Sequence, residues 1–413
     1  MTAAVILVVD GFGVGAMPDA GELRPGDTAA DTLGALAAWS VRERGRPLRI
    51  PHLTGAGLAR LRPDLADLLP EPEHALRRRS TVRRAALGYP GADTFAGHQT
   101  MMGADMSHVT LCRVADRADQ LTAVLREAGH RVEPLGDNRA PLVVDGAALV
   151  HDNLEADPGL NWNVSARLDE LSFDQILAIA DVVRRVAPVA RVIAVGGHSD
   201  RPLAESVRPG PDDTLGLDTP ASGFYRLGGL QVQHLGAAID HSRQLPQATA
   251  AAGIPVTLVG KAADILHAEG PQVSNRPGVD TATVLADTLA GLRRGGLTVA
   301  NVQQTDLAGH QQDPGRYADL LEQVDTALPG LCAALEPEDL LIVTGDHGND
   351  PTIGHAFHTR EYTPVLAVHG GDSASAVPLR LPDLGSLADL GAGVGRYLGL
   401  PAGAIGHGEA CGF

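Results

Sequence analysis

Lysine is nearly absent from this sequence. Of its 413 residues 33 are basic, and all but Lys261 are arginine. A lone lysine marks either chance survival or a place where a compact ammonium is wanted and a planar guanidinium does not fit. Cysteine is scarce as well. Cys112, Cys332 and Cys411 lie far apart with no C-x-x-C pair, which argues against a zinc ribbon or a disulfide framework and fits a reducing cytoplasm. Long hydrophobic runs are missing. The first run, "AAVILVV", is too short to span a membrane, lacks the basic flank of a signal peptide, and continues directly into "DGFGVG", as a core strand entering a loop does. The net charge of −17 argues against nucleic acid and anionic membrane as partners. A local basic pocket or bound metal ions would still hold phosphate. No internal repeat, low-complexity tract or coiled coil is present.

The remaining composition, 44% hydrophobic and 20% charged, is that of a soluble globular protein, and the length suits two or three domains. Strand-like runs at Val5–Val9, 142–144, 191–195, 255–259, 297–302, 340–343 and 364–368 alternate with helix-like segments at 120–128, 173–186, 281–292 and 314–335. This alternation predicts an α/β architecture with a mostly parallel central sheet flanked by helices. Ligands of such sheets bind at the carboxyl ends of the strands, and several of these runs end in Asp, Gly, His or Thr. The stretch 201–222, rich in Pro, Gly and Asp, reads as an extended loop. The segment 107–231 carries its own strands and helices but none of the Asp/His clusters. It reads as an inserted smaller α/β cap domain dividing a core into 1–106 and 232–413.

Four stretches carry the chemistry: "VVDGFGVG" with Asp10, "GADTFAGHQ" with Asp93, Thr94 and His98, "QQTDLAGHQQD" with Asp306 and His310, and "TGDHGNDPTIGHAFHTREY" with Asp346, His347, His355 and His358. Aspartate with histidine is a ligand set for Mn²⁺ or Zn²⁺. One such pair is commonplace on a surface. Two pairs after two different strands, with a strand-end Asp and a further His, are not. Six ligands suffice for two ions, and a two-metal site clamps the attacking and leaving oxygens of a phosphoryl displacement. Thr94, among glycines, offers a hydroxyl nucleophile for that chemistry.

"DGFGVGAMPDA", "DTLG", "ADTFAGH", "GKAADI" and "TGDHGNDPT…HTREY", in this order, resemble the phosphopentomutases of the alkaline phosphatase superfamily, relatives of cofactor-independent phosphoglycerate mutase. The resemblance implies an alkaline-phosphatase-like core with an inserted cap and an isomerase that moves a phosphoryl group between C1 and C5 oxygens of ribose or deoxyribose phosphate. It implies two divalent ions, Mn²⁺ with Mg²⁺, Co²⁺ or Zn²⁺ as alternatives, and a sugar bisphosphate as activator. Asp306, His310 and His358 would hold one ion, and Asp10, Asp346 and His347 the other. Thr94 would be the phosphorylated residue, and Lys261 would contact phosphate or close the cap. His355, without a family counterpart, is expected at the rim. The partner is a small sugar phosphate, and a monomer or small homo-oligomer is expected in the cytoplasm. Departures from the family pattern gather where specificity should lie: Ala92 for a lysine, Gln99 and Thr100 for an aromatic and a carboxylate, Val195 for an arginine, and Ala148 in a region that has lost an Asp. His198, Arg201, Arg208 and Arg226 are candidate replacements, with Asp93 and His98 as further substrate contacts. A mutase for an unusual sugar or nucleoside phosphate, or a metal-dependent phosphatase or phosphodiesterase on the same core, are the alternatives.

Overall fold

All seven residues of the strand Ala3–Val9 are buried, as befits a parallel strand covered on both faces. The computed structural model describes residues 2–69, 78–154, 157–224, 226–237, 239–372 and 377–413. Contacts divide the chain into two compact units, Met1–Met106 with Asp240–Phe413, and Ser107–Ile239.

In the first unit Ala3–Val9 lies between Gly296–Val302 and Leu340–Thr344, parallel to both. The eight-stranded sheet runs Val273–Arg276, Val256–Gly260, Gly296–Val302, Ala3–Val9, Leu340–Thr344, Thr363–Asp372, Arg78–Ala85, Leu379–Arg380. The first five are parallel and Thr363–Asp372 is reversed. Val5, Leu7 and Val9 face a core shared with Leu33 and Leu36 of helix Thr32–Arg44, Val284 of Thr281–Arg294, and Tyr317 and Leu321 of Pro314–Ala333. Asp31, Asp280 and Asp313 cap these three helices by accepting backbone N–H groups, each worth about 1 kcal/mol. Four neighbouring parallel strands therefore deliver their carboxyl ends side by side: Val256–Gly260 before Lys261, Gly296–Val302 before Asp306, Ala3–Val9 before Asp10, and Leu340–Thr344 before Asp346.

The second unit has a six-stranded sheet, Gln231–Gly236, Arg191–Gly197, Asn161–Arg167, Ala148–Asp152, Leu142–Val144, Val132–Pro134. Only Asn161–Arg167 and Arg191–Gly197 are parallel. One face packs against helices Ala118–Glu127 and Phe173–Arg184. The sequence reading closes this insertion at 231. The unit runs on to Ile239 because Gln231–Gly236 is its antiparallel edge strand. Nor is 201–222 a plain loop: it contains the two-stranded ribbon Val207–Pro209 and Leu215–Leu217 and the short helix Thr219–Ser222. Asp152 holds the ribbon by accepting the Leu215 amide at 3.0 Å.

Candidate metal centre

Thr94 opens the helix Thr94–Met101, and Asp93 is its N-cap, accepting the Ala96 amide at 2.8 Å. Asp93 thus shapes the turn that presents the candidate nucleophile. Thr94 Oγ1 lies 2.8 Å from His347 Nε2, 3.3 Å from Asp10 Oδ1 and 3.1 Å from Lys261 Nζ. Lys261 also reaches Asp10 Oδ2 at 3.0 Å and Asp306 Oδ2 at 3.9 Å. Burial works against the lysine's charge, but Asp10, Asp306 and Asp346 outweigh it and raise its pKa. The only lysine of the chain is therefore a cation held against the candidate nucleophile.

The six expected ligands form two groups, Asp306 with His310 and His358, and Asp10 with Asp346 and His347. Within each group the donor atoms lie within 4.8 Å of one another. Three observations fit divalent ions there. First, each histidine turns Nδ1 to a backbone carbonyl: His310 to Ala356 at 2.6 Å, His347 to Gly348 at 3.0 Å and His358 to Ala92 at 3.1 Å. An Nδ1–H that donates to a carbonyl frees the Nε2 lone pair as a ligand. Second, His310 Nε2 and His358 Nε2 stand 3.1 Å apart, a spacing that two facing lone pairs do not tolerate without a shared proton or a cation. Third, Asp10, Asp346 and His347 are fully buried, and Asp346 Oδ2 accepts no hydrogen bond of good geometry while lying 3.4 Å from His347 Nε2. Buried carboxylates of this kind require positive charge beside them. Burial opposes the charge of His347, yet Asp346 and Asp10 push it up to about 10. Burial raises Asp306, yet His310 and His358 hold it well below the usual carboxylate range.

Residues without an assigned role in the sequence reading hold these groups in place. Asn349 donates to Asp306 Oδ1 at 2.8 Å. Asp346 Oδ1 accepts the Gly11 amide at 3.1 Å, where Gly11 has φ +77 and sits against Asn349. Glu361 is buried and accepts from the Gly15 and Thr32 amides and from the Thr32 and Thr359 hydroxyls. Burial pushes it up to about 7 against the pull of those donors. Arg360 donates to the carbonyls of Tyr89 and Gly91, both at 2.7 Å, and to Asp19, fixing the loop that precedes Thr94. The only outward sign of these supports is that they cluster within "HGNDPT" and "HTREY".

Other candidates fall elsewhere. His98 is fully buried, with Nδ1 2.9 Å from the Thr94 carbonyl and 3.3 Å from Asp346 Oδ2, and Nε2 3.1 Å from Asn301 Nδ2. Both nitrogens are engaged, at the Thr94 carbonyl and at Asn301, which leaves no atom for a substrate. His355 is a partner, not a bare rim residue: its Nε2 is 2.8 Å from Asp27 Oδ1 and 3.2 Å from Arg24. Gln99 is buried and bonded to Ile265 and Gln244. In the second unit, Val195 packs with Leu149, Ile193, Leu203, Leu217 and Phe224, and Ala148 lies in the larger apolar core. The positions marked as departures from the family are thus largely interior. His198, Arg201, Arg208 and Arg226 are exposed. Arg201 and Arg226 lie near Asp200, at 3.6 and 3.8 Å, and Arg208 donates to the carbonyls of Glu205 and Val207.

Residues 2–402 match the metalloenzyme superfamily. The phosphopentomutase of Methylobacterium radiotolerans is 33% identical over 97% of this chain and 98% of its own length. That of Symbiobacterium thermophilum is 31% identical over 98% and 96%. A phosphoglycerate mutase structure from Leishmania mexicana aligns with 97% of this chain and 96% of its own at 14% identity and a TM-score of 0.46. Among the described residues no helix is long and apolar enough to cross a membrane. The fold is the alkaline-phosphatase-like α/β core with an inserted smaller unit. The chain belongs to the metalloenzyme superfamily and, within it, to the phosphopentomutases, which are isomerases.

Proposed function

We propose that this protein is a cytoplasmic mutase that shifts a phosphoryl group between the C1 and C5 oxygens of ribose or deoxyribose phosphate, or of a closely related sugar phosphate, through phosphorylated Thr94. The observation that carries this reading is the placement of Thr94 Oγ1 within 3.3 Å of His347, Lys261 and Asp10 at the start of a helix. Phosphothreonine passes its phosphoryl group to the free hydroxyl of the sugar monophosphate. The bisphosphate so formed turns and returns its other phosphoryl group to the threonine oxygen, leaving the isomer. A trace of sugar bisphosphate loads the unphosphorylated enzyme by the second of these steps.

Asp306, His310 and His358 would hold one divalent ion, and Asp10, Asp346 and His347 a second. Their mixed oxygen and nitrogen donors suit Mn²⁺, with Mg²⁺, Co²⁺ or Zn²⁺ as substitutes. When bound, such a pair supplies Lewis-acid stabilisation of the oxygens that exchange the phosphoryl group. The chain's own contribution is positional. The Lys261 ammonium holds charge beside the threonine oxygen as it becomes a leaving group, an interaction that grows in the transition state. Asp93 and Arg360 fix the turn that aims this oxygen. The inserted unit, with exposed His198, Arg201, Arg208 and Arg226, is assigned the selection of the sugar phosphate.

Phosphorus NMR with Mn²⁺, a trace of sugar bisphosphate, and ribose, deoxyribose, arabinose and hexose phosphates in parallel tests the proposal. The expected result is conversion of a pentose 1-phosphate to its 5-phosphate by the wild type and none by Thr94→Val, which keeps its metals. Net release of inorganic phosphate with no isomer formed would establish a hydrolase instead.

A further inference from the structure

The nucleophile helix and the lysine turn are joined by two buried amides. Gln99, one turn and a half into Thr94–Met101, donates from Nε2 to the carbonyl of Ile265 at 2.6 Å. Ile265 ends the short helix Ala262–Ile265, whose N-cap is Lys261. Gln244 donates from Nε2 to Gln99 Oε1 at 2.8 Å. His241 Nδ1, at 2.6 Å from Gln244 Oε1, completes the chain. The pattern is self-consistent: each amide nitrogen meets an acceptor, and each amide oxygen meets a donor. Gln99 is fully buried and Gln244 nearly so, so neither amide has water as an alternative partner.

We infer that Gln99 and Gln244 are positioning residues that set Lys261 against Thr94. This rests on the reading of Thr94 as the phosphorylated group. Helix Thr94–Met101 carries one member of the pair at its first residue, and the strand end Val256–Gly260 delivers the other. Side chains at the two turns meet at 3.1 Å, a distance that a shift of about 1 Å would abolish as a hydrogen bond. The bond from Gln99 to Ile265 ties one turn to the other directly. A phenyl ring at position 99 would offer no acceptor to Gln244 and no donor to Ile265. The glutamine therefore matters here as a brace rather than as a ligand to substrate.

Because the chain holds one lysine, its side-chain NMR signals in protein labelled only at lysine report this geometry without any turnover. Gln99→Met and Gln244→Met keep length and burial and remove the amides. The holoenzyme of each variant is expected to move the Lys261 Cε and Nζ resonances in the same direction. Transfer from phosphothreonine should fall about three- to tenfold in single turnover with KM little changed, consistent with losing one or two neutral hydrogen bonds. The double variant should lose less than the product of the single losses. Wild-type lysine resonances in both well-folded variants would overturn the inference, as would a rise in KM without loss of kcat. If wild-type Thr94 takes up no phosphoryl group at all, the mutase reading fails, and the lysine spectra still decide the brace.

Discussion

Acid should loosen the 107–239 unit through one residue, His151. The ring is fully buried in the strand Ala148–Asp152. Nε2 lies 2.9 Å from Ser165 Oγ, and Nδ1 accepts the Leu217 amide at 3.2 Å. A proton on Nδ1 would turn it into a donor to the Asp152 carbonyl, 2.8 Å away, and strand the Leu217 amide. Burial accordingly pushes its pKa from 6.5 down to about 4. The unfolded chain binds this proton at a higher pH than the folded one. The stability that rests on neutral His151 is whole above pH 6.5 and drains as pH falls toward 4. At about 1.36 kcal/mol per pH unit the window is worth about 3 kcal/mol. The chain has two tryptophans, and Trp162 of this unit is buried, donating to the Cys112 carbonyl at 2.6 Å. Trp39→Phe makes Trp162 the sole reporter. Urea unfolding of this variant with and without His151→Gln, from pH 7.5 to 4.5, isolates the histidine, since all other groups cancel. The stability gap between the two should shift by about 3 kcal/mol in favour of His151→Gln on acidification. Parallel pH profiles would refute the reasoning.

Three further outcomes follow from the supports of the candidate centre. Asn349→Leu removes the donor to Asp306 and should weaken one of two ions by about 10- to 100-fold, which a chelator competition resolves as one early and one normal release. Equal retention of both ions would remove Asn349 from that role. Glu361→Ala strands four donors at about 1 kcal/mol or more each, so unfolding free energy should drop by at least about 4 kcal/mol in urea titrations. An unchanged midpoint and slope would contradict this. Arg360→Lys keeps the charge but not the fork that grips two carbonyls. It should slow transfer from Thr94 by about tenfold or more with both ions still bound, as read by single-turnover kinetics and metal analysis. A wild-type rate would show the loop to be held without it.

The parallel strands were legible because uninterrupted apolar runs such as Ala3–Val9 and Leu340–Thr344 have one common cause, burial on both faces. The clustering of Asp10, Asp306 and Asp346 was legible for a related reason: each follows such a run, at the carboxyl end where sheets of this kind bind ligands. Arg78–Ala85 was not legible as a strand. Its sequence "RRSTVRRA" hides the strand behind charge, although Arg83 is buried and donates to the Gly412 carbonyl while Arg84 pairs with Asp383. Asn161–Arg167 alternates Asn161, Asn163 and Ser165 with Trp162, Val164 and Ala166, the pattern of a half-exposed strand, yet all six are buried. Periodicity reports hydrophobic contrast and does not reveal that a polar face is itself buried. The contacts of Glu361 with Gly15 and Thr32, and of Gln99 with Gln244 and Ile265, join residues far apart in sequence and leave no local pattern.

The place of Ala3–Val9 in the sheet bears on how the protein is made. It leaves the ribosome well before both of its neighbours, residues 296–302 and 340–344. At about 5–20 residues per second that strand waits on the order of 20–70 s for its last partner. The unit at 107–239 is one unbroken stretch and has all its strands long before then. Synthesis therefore presents a finished insertion beside an apolar strand that still lacks both neighbours, so mistranslation or stalling between residues 240 and 340 leaves an aggregation-prone edge and not a smaller working enzyme.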